Sequence, residues 1–97
     1  MKVVDIDITG IKNWKSFHDT FSSLFDFPDY YGMNMDAWID CMDDLVNEPT
    51  LLDFGDCRNM NPAQLEIADS VLDCAAFVNL RKVERGSQPQ LLVSLFK

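Results

Sequence analysis

Four aspartates crowd the segment MDAWIDCMDDL, at Asp36, Asp40, Asp43 and Asp44, with no lysine or arginine among them. Carboxylates spaced about one helical turn apart can hold a divalent cation, share a proton in acid–base chemistry, or present an anionic face to a basic partner. Catalysis needs companions that this chain does not offer. His18 is the only histidine, no nucleophile–base pair is visible, and no glycine-rich phosphate loop occurs. His18 sits beside apolar residues in a helical stretch and reads as an ordinary surface or boundary residue. Cys41, Cys57 and Cys74 are far apart and form no C-x-x-C, so a zinc site is not expected and the thiols are expected to stay reduced in a cytosol. The expectation is therefore no enzyme, no metal and no cofactor, which leaves recognition of a cationic partner.

The charge distribution supports that reading. The 97 residues carry 16 acids against 8 bases, a net charge of −8. Between Ser16 and Cys57 there are ten acids and no base; the bases sit toward the two ends, at Lys2, Lys12, Lys15, Arg58, Arg81, Lys82, Arg85 and Lys97. A polyanionic nucleic acid or membrane surface would be repelled by such a chain. The length suits one domain, spanning residues 1–97. No apolar run reaches transmembrane length and the N-terminus MKVVDIDITG lacks the apolar stretch of a signal peptide, so a cytoplasmic location is expected.

The elements that must position the aspartates are readable from periodicity. VVDIDI alternates with period two and predicts a strand with one exposed side, ended by Thr9 and Gly10. Trp14, Phe17, Phe21, Leu24 and Phe25 recur at helical spacing behind a capping Asn13. A loop over residues 27–33 follows, then a helix from about Met35 to Val46 capped by Asn34. Thr50 to Phe54 reads as a short strand. Asn61 and Pro62 start a third helix, with Leu65, Ala68, Val71, Leu72, Ala75 and Val78 on one side, running to about Arg85 before Gly86. QLLVSLF is almost wholly apolar and predicts a last strand covered on both faces. The order β-α-α-β-α-β implies an α/β fold, a small three-stranded parallel sheet with packed helices.

At about 100° per residue, Trp38, Cys41, Met42 and Leu45 point to the core, and Asp36, Asp40, Asp43 and Asp44 to the opposite side. Like charges at this spacing each cost roughly 0.2–0.5 kcal/mol per pair, and Asp43 and Asp44 oppose the dipole at the helix C-terminus. Stability alone would have mixed in lysines. Ile39, at the edge of the acidic face, is a fringe of the core or an exposed contact. In the preceding DYYGMN, Gly32 is expected to make a turn open to few other residues, with one of Tyr30 and Tyr31 packed inward and the other facing out.

The stretch LFDFPDYYGMNMDAWIDCMDDL resembles the signature segment of the barstar family, the intracellular inhibitors of barnase-type ribonucleases. The matching residues are Pro28, Tyr30, Tyr31, Gly32, Asn34, Asp36, Ala37 and Asp40. Beyond this motif the chain agrees in length and element order, with faint sequence similarity. The resemblance implies a one-to-one complex in which the acidic helix and the tyrosine loop block the basic active site of a ribonuclease, with Tyr30, Asp36 and Asp40 at family contact positions and Asp40 in the phosphate site. Two departures bear on the target. The family tryptophan before the second motif aspartate is replaced by Ile39. The family's partner-binding glutamate on the last helix maps between Cys74 and Arg81, where no acid occurs; Asp69, Asp73 or Glu66 could substitute, with Phe77 adding an apolar contact. A different toxin nuclease, with this chain as its immunity protein or antitoxin, fits as well as barnase. The alternative is an interaction module of the same fold that binds another basic protein.

Overall fold

The computed structural model describes residues 1–96. Lys97, included in the one-domain expectation and counted among the terminal bases, lies outside the described residues. The elements are β1 (Lys2–Asp5), a 3₁₀ turn (Ile8–Gly10), α1 (Trp14–Phe25), α2 (Met35–Leu45), β2 (Thr50–Asp56), α3 (Pro62–Glu84) and β3 (Leu91–Phe96). The three strands form one parallel sheet in the order β1-β2-β3, with Val4 opposite Leu52 and Leu52 opposite Val93. The expected β-α-α-β-α-β order and α/β class are what the chain adopts.

Side-chain caps define the helices. Asn13, Asn34 and Asn61 each accept a bond from the backbone N–H three residues on, satisfying one of the donors a helix start leaves open. Ser16 and Gln64 complete reciprocal capping boxes at α1 and α3. Gln64 reaches further, its Nε2 donating to the carbonyls of Ile8 and Ile11 at 3.0 and 3.1 Å, so the start of α3 is tied to the turn after β1. At the other end of α3, Gly86 takes a φ of 81°, the left-handed geometry that ends helices.

The core joins the inner sheet residues Leu52, Phe54 and Leu91 to Phe17 and Phe21 of α1, Trp38 and Met42 of α2, and Ile67, Val71 and Val78 of α3. Several sequence expectations are corrected here. β1 stops at Asp5, because Asp7 caps a 3₁₀ turn by accepting from Thr9 N–H, which turns the chain away from the sheet. β3 is covered on one face only: Leu91 is buried, while Leu92, Ser94 and Phe96 are exposed. Val3, Leu51 and Leu92 lie in register on that outer face. On α3, Ile67 packs inward, and Leu65 and Leu72 stay exposed.

Candidate functional site

The loop before α2 is held by aromatic packing. Asp26 ends α1 in the left-handed conformation, and Tyr31 N–H donates to the Pro28 carbonyl at 2.9 Å. Tyr31 turns inward, its ring 4.6 Å from that of Phe27 and its hydroxyl 2.5 Å from His18 Nδ1. His18 is therefore not the surface or boundary residue its neighbours implied. It is buried, it stacks on Trp14, and burial lowers its pKa. Burial also raises the Tyr31 pKa. Tyr30 faces outward at 88% exposure. The sharp turn falls on Met33, at φ 51°, and not on Gly32. A Cβ at Gly32 would sit 3.4 Å from Asn34 Nδ2 and 3.6 Å from Ala37 Cβ, ordinary contact distances, so the local fold does not demand a glycine there. Asn34 is the cap of α2, accepting from Ala37 N–H at 2.8 Å.

The helix that follows divides its aspartates in two. Asp36, Asp40 and Asp44 are exposed. Asp43 is a correction: it leaves the open acidic face and is buried against α3. Arg85 grips both of its carboxylate oxygens, Nη2 donating to Oδ1 at 2.6 Å and Nη1 to Oδ2 at 3.0 Å. The buried Lys82 lies 3.3 Å from Oδ1 and donates to the Asp43 backbone carbonyl at 2.6 Å. The Arg85 bonds, helped by Lys82, hold the Asp43 carboxyl below the usual carboxylate range despite its burial. Lys82 thus occupies one of the carbonyls that the end of α2 leaves open and brings positive charge to the negative end of the helix dipole. Arg81 donates from Nη1 to Asp40 Oδ1 at 2.7 Å and stands 4.0 Å from Asp43 Oδ2. These bases answer the puzzle of the acidic helix: its counter-charges come from the far end of α3.

Ile39 resolves to the core side, 9% exposed and part of the core cluster, while Leu45, expected to be buried, is exposed at the end of α2. Trp38 is fully buried, packed edge-on against Phe21 at 5.6 Å. Two hollows flank the exposed carboxylates. One, of about 290 Å³, lies between the tyrosine loop and α2 and is lined by Pro28, Tyr30, Asp40, Cys41, Asp44 and Leu45. The other, also about 290 Å³, lies between α2 and α3 and is lined by Asp36, Ile39, Phe77, Leu80, Arg81 and Glu84. Asp73 is exposed one residue before Cys74, and the Cys74 thiol, raised first by burial, also feels the carboxylates of Asp73 and Asp36. Sequence reasoning missed Glu84, a last-helix glutamate three residues past the expected window. The signal was available: Phe77, Leu80, Arg81 and Glu84 follow i, i+3, i+4, i+7 and share one helix face.

Among the described residues, no three His, Cys, Asp or Glu side chains are grouped to hold a metal ion, and no helix is long and apolar enough to cross a membrane.

A parallel sheet of three strands with helices in this order, and an acidic helix set between two hollows, defines a small α/β protein of barstar-like architecture. The chain belongs to the barstar family, whose model, described as barstar (barnase inhibitor), matches residues 1–94. It is also similar to a protein of Bacillus subtilis (strain 168) named "Putative ribonuclease inhibitor YrdF", with 36% identity over 73 residues, covering 75% of this chain and 80% of that protein. A role of the barnase-inhibitor type follows from this membership.

Proposed function

We propose that the chain is a stoichiometric, non-catalytic inhibitor that occupies the basic active-site cleft of a ribonuclease in a one-to-one complex, acting as a single domain in the cytoplasm. The observation that carries this reading is the placement of Asp36, Asp40 and Asp44. All three are exposed, each is four residues from the next, and Tyr30 shares a hollow with Asp40 and Asp44. Successive members of the row rise about 6 Å along the helix axis, at 1.5 Å per residue. A ribonuclease cleft is built to hold phosphates with cationic side chains, and a rigid row of carboxylates can take their place. Tyr30 adds an amphipathic anchor whose exposed ring can be buried by a partner. Asp43 supports this surface from behind, and Asp73, Phe77 and Glu84 extend it onto α3. The net charge of −8 favours rapid encounter with a basic nuclease and disfavours contact with RNA itself.

The test is a titration of the purified chain into a barnase-type ribonuclease while RNA cleavage is followed. Complete inhibition at one equivalent, eased by salt and weakened by orders of magnitude in Asp40→Ala, is the expected result. Cleavage that continues unchanged with excess protein would remove the barnase-type enzymes as targets.

A further inference from the structure

Arg81 has an unusual position for a residue beside an inhibitory surface. It lies on the rim of the hollow between α2 and α3 and directs its guanidinium at Asp40, one of the carboxylates assigned above to the partner. The pair is superficial, with the Arg81 side chain 44% exposed and that of Asp40 67% exposed. Arg81 is also not needed to neutralise the buried Asp43. Arg85 already satisfies both oxygens of that carboxylate and Lys82 supplies a second cation, whereas Arg81 remains 4.0 Å away. The docking of α3 on α2 therefore has its ionic support without Arg81, and the charge of Arg81 is spent on Asp40.

An incoming cation that seeks Asp40 meets an arginine already in place. It must share the carboxylate or displace the guanidinium, and in either case it brings two positive charges together in a site from which water is being expelled. We propose that Arg81 is a specificity-determining residue, an internal counter-ion of Asp40 that weakens capture of this chain by a cleft that is cationic throughout. The proposal rests on the inhibitor reading, because it assumes that Asp40 faces a partner cation.

A barnase-type ribonuclease serves as the cationic probe, titrated with the full chain as wild type, Arg81→Gln, Asp36→Asn, Asp40→Asn and the double variant Arg81→Gln/Asp40→Asn. Arg81→Gln is expected to tighten inhibition about tenfold, with a faster association rate that salt suppresses. Loss of Asp40 is expected to cost more in the Arg81→Gln background than in wild type, a coupling that a merely structural arginine would not produce. The melting temperature of Arg81→Gln is expected to stay near that of wild type, since Arg85 and Lys82 keep Asp43. Inhibition that is unchanged or weaker in Arg81→Gln, with Asp36→Asn still harmful, overturns the proposal and leaves the inhibitor reading intact: Arg81 would then hold Asp40 ready for its partner. Inhibition gained only on removing Arg81 supports the proposal and assigns the wild-type chain to another nuclease. No inhibition by any of the five proteins overturns the proposal, since removing Arg81 then admits the chain to no such cleft, and removes the barnase-type enzymes as targets of the inhibitor reading.

Discussion

Asp43→Ala isolates the structural carboxylate from the proposed recognition surface. In the native chain the Asp43 side chain is 10% exposed and meets Arg85 at 2.6 Å and Lys82 at 3.3 Å. Breaking a buried ion pair by removing one partner costs about 3–5 kcal/mol when the other charge is stranded. Here the stranding is partial. Arg85 is 54% exposed and can return to water, whereas Lys82 is 5% exposed and keeps only its bond to the backbone carbonyl. The expected loss is accordingly about 2–4 kcal/mol, lowering the melting temperature by roughly 10–25 °C for a chain of this size. Circular dichroism melts at neutral pH measure it. An acid series provides the linked test. The Asp43 pKa is lowered in the folded state, so its contribution is present above the unfolded value of 3.8 and is lost as pH falls through the folded pKa. The variant should lack that component of acid sensitivity. Asp43→Ala melting within about 2 °C of wild type would refute the assignment of Asp43 as the ionic link between α2 and α3.

Asp40→Ala should behave conversely. Its exposed side chain makes a stability change of about 0.5 kcal/mol or less the expectation, while inhibition should weaken at least tenfold; close charge pairs in the barnase–barstar complex, where the range was measured, couple by about 1.5–7 kcal/mol. Tyr30→Ala should leave the melt unchanged and weaken inhibition, as titrations of the two proteins side by side would show, because the ring is 88% exposed before binding. His18 should make stability rise with pH in the mildly acidic range. Its pKa is lowered by burial, so the neutral ring stabilises the fold above the unfolded value of 6.5, and that contribution is lost as pH falls through the folded value; His18→Phe should flatten the urea-midpoint profile there. Asn61→Ala should cost about 0.5–2 kcal/mol in denaturant unfolding, since Gln64 N–H loses its side-chain acceptor while the backbone N–H of residue 61 keeps its bond to Gln64 Oε1.

Local chemistry was readable in the sequence wherever the determinants lie within a few residues of each other. Asn13, Asn34 and Asn61 each cap the helix that follows, and Pro62 and Gly86 bracket α3 as their backbone preferences require. The element order follows from the same signals. Misreadings arose where a distant neighbour decided the outcome. An angular projection puts Asp43 with the other aspartates, and only the arrival of Arg85 from 42 residues away makes its position a buried one. His18 looked peripheral because its partner, Tyr31, lies 13 residues on, across the turn. Leu45 has the correct angle for burial, but it occupies the last residue of α2, where nothing packs over it. The apolar run in β3 suggested two covered faces because hydrophobicity alone does not reveal that the helices cover one side only. For the proposed partner-facing surface, the motif residues Tyr30, Asp36 and Asp40 are visible as a pattern; on α3 the spacing groups Leu80 and Glu84 on one face, but only the fold shows that this face meets α2.

The separation between the acidic helix and its counter-ions also dictates an order of assembly. As an isolated segment α2 has only repulsive charge pairs and an unfavourable C-terminus, and at 11 residues it is too short to persist in water. Arg81, Lys82 and Arg85 reach it only after the chain has closed a loop of about forty residues containing β2 and most of α3. A nascent or partly degraded chain that ends before residue 81 therefore carries the aspartates without the scaffold that aligns them. The aligned row of carboxylates is thus a property of the whole fold and not of its fragments.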